Sequence, residues 1–529
     1  MLTVVLAQVL LAFNVVSLPV ALGGMVESFQ VPPTTIATSI VVYSLAVAAF
    51  VMLGAKLNQR FGALRMFRFG VAAFGIVEVV MTVSPTATIM LISQLLCGLA
   101  AALLVPGLVA LIAENYRGRQ QETALGALGS AAAGAALMAF LVGGFLGTYV
   151  GWRVAFALLV VLSAVVLVLS RSLRPDHGRP DVRIDGVGAA LAAAAIMLIS
   201  IGFNNLNGWG LGIARPAAPF SLFGLSPAAP MILLGGFLGQ CFLAWTRRRE
   251  AAGKTPLLAL SVIESRQERA AVYAMFSIGA LEAALNFLVP LYIQIVQGGS
   301  ALATAVAMMP FNLTVFFTAT LVVRLYGRMT PRRIGQCGFA LCAVALLWLS
   351  FSIGNDWETL PVIAGLCLFG IGQGMLVTLL FNVLVSASPK QLAGDVGSLR
   401  GTTGNLATAV GTAVIGALVV AVLGGAVMRE LADNPHLPPV TQWAARGEFD
   451  LSAINFISND KLADIMSRTA ATPDQVREVT RINIDARLRA LKIGLLALTG
   501  VALLAILPAG WLPAYKPEAL TAEDMRETA

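Results

Sequence analysis

Residues 98–106 read GLAAALLVP, and residues 370–378 read GIGQGMLVT. Both open on glycine, both are almost wholly apolar, and their starts lie 272 residues apart. Two further features keep nearly that spacing. The basic hexapeptide RFGALR from Arg60 is echoed by RMTPRR from Arg328 at 268 residues, and Pro19 is echoed by Pro290 at 271. Any one match between Gly- and Ala-rich stretches is explained by chance; a shared offset argues for an internal duplication. Working outward from these anchors, apolar stretches recur that are long enough to cross a bilayer, which takes roughly 20 residues of helix. Fourteen are read, at 3–25, 37–57, 68–84, 89–113, 123–148, 153–171, 186–204, 227–246, 270–296, 302–324, 333–353, 359–386, 398–427 and 490–511. Spans 1–6 and 9–14 then form two copies of a six-helix unit, with spans 7 and 8 inserted between them.

The composition agrees. Of 529 residues, 58% are hydrophobic and 12% are charged, against about 25% charged in a soluble domain. Disordered and disulfide-scaffold classes are excluded on the same ground. The runs are continuous rather than alternating, which excludes barrel strands. The first run is too long for a signal-peptide core and lacks a basic leader, so a cleaved signal is not expected. Cys97, Cys241, Cys337, Cys342 and Cys367 all sit in apolar runs and are read as small buried residues. His177 and His436 are far apart, so no zinc-type spacing exists, and no metal or other cofactor is expected. No nucleophile–base pair, phosphate loop or redox motif appears, so an enzyme is not expected.

The net charge of +8 would suggest nucleic acid in another composition. Here the basic residues follow the loops. Lys56, Arg60, Arg65 and Arg68 lie between spans 2 and 3, Arg171 to Arg183 between 6 and 7, Arg247 to Arg269 between 8 and 9, and Arg324 to Arg333 between 10 and 11. The opposite short loops hold Arg153 and Arg215. Such alternation predicts fourteen spans in a cell (inner) membrane with both termini cytoplasmic, and it removes the argument for nucleic acid. Lys390 and Arg400 are read as belonging to the loop between spans 12 and 13, so no Lys or Arg is expected in mid-membrane.

At four places the chain resembles the major facilitator superfamily, and within it the fourteen-helix drug:proton antiporters: KLNQRFGALR (56–65), LLCGLAAALLVPG (95–107), GWRVAF (151–156) and RIDGVGAALA (183–192). The resemblance implies an all-α integral membrane fold of two six-helix bundles plus two inserted helices. Residues 1–172 are the first bundle, 173–250 the inserted pair, and 251–529 the second bundle with an outward segment, 428–489. It also implies a conformational latch at Arg60, Gly62, Arg65, Arg328 and Arg333, although inside-positive topology alone explains these arginines. The chain departs from the family pattern where Gln59 replaces an acid, Gln94 an arginine and Cys97 a glutamine. Gly327 stands at the matching acid position of the second copy. Ala139-Phe140 replaces Gly-Pro before Gly143-Gly144, and span 1 offers Gln8, Asn14 and Ser17 but no aspartate. These losses weaken proton antiport without touching the fold.

An ionisable group inside the hydrocarbon is costly and needs a reason. Two acids qualify, Glu78 in span 3 and Glu282 in span 9. Glu282 is near mid-span with Asn286 one turn on, so both share a face. Burial favours the neutral form of a carboxyl, the property a proton carrier needs. Glu282 is therefore read as the proton-coupling or cation-binding group, against the plainer reading of a neutral carboxyl bonded to a neighbouring helix. Glu78, six residues from Ser84, is the weaker candidate and is expected to reach outward. Asn14, Gln94, Asn286, Asn312, Gln373 and Asn382 are the substrate-cavity candidates, each also explicable as a polar tie between helices. A cavity without a fixed Lys or Arg suits a neutral or cationic amphiphile. Thr472-Pro473-Asp474-Gln475 is a strong helix start that can run into span 14.

These observations lead to a monomeric secondary transporter exporting hydrophobic or cationic small molecules by alternating access with proton coupling. Two alternatives stay open: a lipid or amphiphile flippase or facilitator with little coupling, and a non-transporting scaffold or sensor. The expected partners are an amphiphilic substrate, the bilayer and a periplasmic protein through 428–489.

Overall fold

The computed structural model describes residues 1–116, 119–173, 178–210, 212–215, 218–221, 224–322, 328–354, 359–387, 393–433 and 472–514. His177, His436, Gly327, Lys390 and most of the 428–489 segment lie outside them. Among the described residues are fourteen helices of eighteen residues or more. They are α1 (Leu2–Val20), α2 (Pro33–Phe61), α3 (Ala63–Thr82), α4 (Ala87–Asn115), α5 (Arg119–Tyr149), α6 (Trp152–Leu169), α7 (Gly186–Asn204), α8 (Ala228–Ala251), α9 (Arg266–Pro290), α10 (Ala301–Leu321), α11 (Pro331–Ser352), α12 (Leu360–Ala387), α13 (Ala393–Asp433) and α14 (Pro473–Ala509).

Twelve of them are long and apolar enough to cross a membrane. The other two are α3, which carries Arg65, Arg68 and Glu78, and α5, whose apolar stretch is the shorter Gly134–Tyr149. The chain is thus a multi-pass membrane protein, as a bilayer requires each backbone polar group to be satisfied within its own helix. Helix starts obey local chemistry. Ser265 with Glu268 and Thr472 with Gln475 each form a reciprocal capping box at α9 and α14. The second is the start expected from the sequence, and α14 runs without a break from Pro473 to Ala509.

The packing shows the duplication directly. In the first copy α1 meets α5, α2 meets α4, and α3 meets α4 and α6; in the second α9 meets α13, α10 meets α12, and α11 meets α12 and α14. The quoted anchors sit at equivalent contacts. A Cβ on Gly98 of α4 would lie 2.5 Å from the Tyr43 carbonyl oxygen of α2. One on Gly370 of α12 would lie 2.6 Å from the Phe311 carbonyl oxygen of α10. Small residues let these helix backbones approach closely.

The copies join along two seams, α2 with α13 and α5 with α10, which exchange places under the same pseudo-twofold. The inserted pair breaks that symmetry. Helix α7 packs on α8 and on the α2–α13 seam. Asp185 caps α7 through the Gly188 amide at 3.0 Å, accepts from Trp245 Nε1 of α8, and pairs with Arg249 at 3.4 Å. Outward faces carry exposed Ile76, Leu233, Phe351 and Leu504, as lipid contact allows. Cys97 and Cys342 are buried as expected, but Cys337 is exposed.

Candidate functional site

A cavity of about 280 Å³ lies between the two copies. Its wall takes residues from the first two-thirds of α1 (Gln8 to Val15), from α2, α4 and α5, and from α9, α12 and the start of α13. It therefore runs from mid-span toward the basic loops. Most of the wall is apolar. The polar exceptions are Gln8, Tyr43, Glu282, Arg400 and Asn405.

Glu282 reaches this wall from α9, and Gln373 Nε2 of α12 donates to its Oε2 at 2.6 Å. Gln373 is itself buried, and its Oε1 has no hydrogen-bond partner. Asn286, one turn beyond Glu282, also keeps a buried, unpartnered Oδ1. Glu282 and Gln373 are thus bonded and Asn286 stands one turn on, but of the three only Glu282 belongs to the cavity wall.

The remaining amides lie elsewhere. Asn312 Nδ2 donates to the Met308 carbonyl of its own helix at 2.9 Å, and neither Asn312 nor Asn382 belongs to the wall. Asn14 and Gln94 are buried inside the first bundle, where Asn14 Nδ2 donates to Gln94 Oε1 at 3.2 Å. The Asn312 bond lies within its own helix, and the Asn14–Gln94 bond joins α1 to α4.

Glu78 does not reach outward. It is 0% exposed, and Cys97 Sγ of α4 donates to its Oε1 at 3.3 Å. The reason is helix rotation: α3 turns the Glu78 face onto α4, toward Cys97 and Tyr43. Its Oε2, Asn14 Oδ1 and Gln94 Nε2 are unpartnered and buried.

Arg400, expected in the loop between spans 12 and 13, lies instead inside a helix. Helix α13 begins at Ala393, so Arg400 stands about two turns inside, in the cavity wall. A boundary placed at 398 turned this residue into a loop arginine. Its guanidinium lies 4.2 Å from the Phe381 ring centroid. The cavity therefore has a fixed cation, and the ground for preferring a neutral or cationic cargo falls away.

The arginines expected in the latch stand apart from the ties between the copies. Arg60, Arg65, Arg328 and Arg333 take part in no ion pair among the described residues; Arg65, Arg328 and Arg333 are exposed, and Arg60 lies against the Phe61 ring. Gly62 serves the turn, with φ +94° between α2 and α3, a backbone that glycine adopts freely. The tie at this end is Lys56 of α2 with Asp395 of α13, 3.0 Å apart, with side chains 5% and 3% exposed. Asp395 also accepts from the Ala259 amide at 3.2 Å. At the other end, Gln294 accepts from the Gly23 amide at 2.7 Å and donates to the Pro19 carbonyl at 3.1 Å. Each copy is thus tied to the other at both ends of the cavity. In the sequence Asp395 reads only as the acid of the first turn of α13, with nothing to name Lys56 as its partner.

Known proteins resemble this arrangement. The model of the Major Facilitator Superfamily matches residues 4–412, and the chain belongs to that family. It is 28% identical over 410 residues to the "Probable actinorhodin transporter" of Streptomyces coelicolor, covering 74% of this chain and 67% of that one. It is 24% identical over 420 residues to the "Multidrug efflux pump LfrA" of Mycolicibacterium smegmatis, covering 79% of each. A bacterial homologue of the lysosomal transporter Spinster, solved inward-facing and unoccupied, superposes with a TM-score of 0.62 at 13% identity, over 97% of this chain and 96% of that one. The family and these relatives are transporters, not enzymes.

Proposed function

We propose that this protein is a secondary transporter that exports hydrophobic small molecules by alternating access, in exchange for protons carried by Glu282. The observation that carries the reading is a carboxyl in the wall of the inter-copy cavity, oriented by Gln373 at 2.6 Å. Within a low-dielectric wall an ionised carboxyl is costly unless something neutralises it. A proton does so, and so does a donor group of the cargo. The two then compete for Glu282, and competition is what exchange requires: a ligand shifts an equilibrium only by its differential binding. The other titratable or charged wall groups are Tyr43 and Arg400. The seams α2–α13 and α5–α10 are the surfaces on which the copies would rock.

The printed names of the relatives, an actinorhodin transporter and a multidrug efflux pump, support a drug- or antibiotic-like cargo. The basic loops favour a cell (inner) membrane with cytoplasmic termini. The protein is proposed to act as a monomer, with 428–489 facing a periplasmic partner. A facilitator or flippase is the second reading, and one observation favours it. Asn14 and Gln94 form a neutral pair where the family pattern has an arginine at the second position.

The test is substrate-driven proton movement in liposomes holding the purified protein, with a multidrug panel as cargo. Exchange predicts acidification changes that follow cargo and vanish in Glu282→Gln. Cargo flux without proton flux leaves the facilitator; neither flux leaves the scaffold.

A further inference from the structure

Arg400 shares the cavity wall with Glu282, and proton exchange makes no use of it. A guanidinium within the span is costly unless it meets a counter-charge. Among the described residues Arg400 has none: its contact is the Phe381 ring at 4.2 Å, and no acidic group faces it. Glu282, the one acidic side chain in the wall, is engaged by Gln373 instead. The ring face offsets part of the cost. Its N–H donors, set in a fork that matches a carboxylate, remain available.

We propose that Arg400 binds an acidic group of the cargo, so that the cargo is an amphoteric aromatic molecule. Its carboxylate or phenolate sits on Arg400, its ring lies along Phe381, and its cationic or donor end meets Glu282. The Glu282 end of this assignment rests on the exchange reading above; the Arg400 end does not. Charge accounting selects an amphoteric cargo over a plain anion. With Glu282 ionised the wall carries one charge of each sign, which a zwitterion matches at both ends. Protonating Glu282 removes the anchor of the cationic end, so proton and cargo compete. A plain anion would bind more tightly once Glu282 is protonated, and would travel with the proton rather than against it.

The probe is rhodamine B, which carries a carboxylate and a cationic ring system, against its ethyl ester, which keeps the ring system and loses the acid. Equilibrium binding is read by fluorescence anisotropy on the purified full chain in lipid nanodiscs, without a proton gradient. Wild type is expected to bind the acid about tenfold more tightly than the ester, the scale of one charge-assisted hydrogen-bonded pair. Arg400→Gln is expected to remove that preference, and Arg400→Lys to keep part of it. Equal affinities in wild type, or failure to bind the acid, overturn the proposal without recourse to any variant. So does a preference that survives in Arg400→Gln. A wild-type acid preference that persists in Glu282→Gln supports the Arg400 assignment, even where the liposome experiment shows no proton exchange.

Discussion

Glu78 in the first copy and Glu282 in the second arise from similar sequence: a lone glutamate in an apolar run, among valines in FGIVEVVM and among alanines and leucines in GALEAALN. Their surroundings differ. Glu78 is sealed between α3 and α4 at 0% exposure, facing a thiol. Glu282 looks into the inter-copy cavity and is steadied by an amide from α12. Both meet the same hydrocarbon penalty; what separates them is which helix face they occupy. A group that must exchange protons and meet a cargo needs the cavity, while a sealed group can only shape its own bundle. The largest expected effect tests this contrast. Glu282→Gln should reduce proton-linked cargo flux in liposomes to background, and Glu78→Gln should leave it near the unsubstituted rate. The reverse outcome would move the coupling site into the first bundle.

The two copies are held together by a charge pair that neither contains alone. Breaking a buried pair by removing one partner costs about 3–5 kcal/mol, because the other charge is left uncompensated. Asp395→Asn should therefore strand Lys56 and lower thermal stability sharply. The double variant Lys56→Met with Asp395→Leu should recover most of the loss, since well-packed apolar replacement of such pairs is often neutral. A double variant as unstable as the single one would mean that the Ala259 amide bond to Asp395, rather than the pair, holds this end together.

The duplication predicts a matched response a step smaller. Gly98→Ala and Gly370→Ala each drive a methyl toward a backbone carbonyl oxygen of the neighbouring helix, at 2.5 and 2.6 Å, and at Gly370 the still nearer Thr314 hydroxyl must also turn aside. Overpacking of this kind costs about 1–3 kcal/mol. Gly500→Ala on α14, with nothing within 4 Å, is the neutral control. A smaller loss at Gly370 than at Gly98, despite the additional Thr314 contact, would show that the second copy has relaxed away from the first.

The sequence carried the repeat, the long helices and the start of α14 because each depends on local pattern: a common offset, apolar length, a capping box. It did not carry the partners. Lys56 and Asp395 are 339 residues apart, and no periodicity joins them. Arg400 was lost through a few residues of boundary error, since α13 starts at Ala393. Glu78 was placed by its distance from the span end, which fixes depth but not rotation about the helix axis. Length and hydropathy determine that a helix crosses; only its neighbours determine where each face looks.

That distinction bears on the smallest effect. Arg65, Arg328 and Arg333 are exposed and pair with nothing among the described residues. If they serve orientation rather than packing, each should tolerate Gln with a stability change within about 0.5 kcal/mol, the usual range for surface positions. Their joint removal should act at a different stage, by weakening the charge bias that orients the chain during insertion. Reporter tags on the loops would read that as mixed orientation, while correctly inserted molecules keep their thermal stability. Joint replacement that lowers stability while leaving orientation intact would instead return these arginines to a latch, beside Lys56 and Asp395.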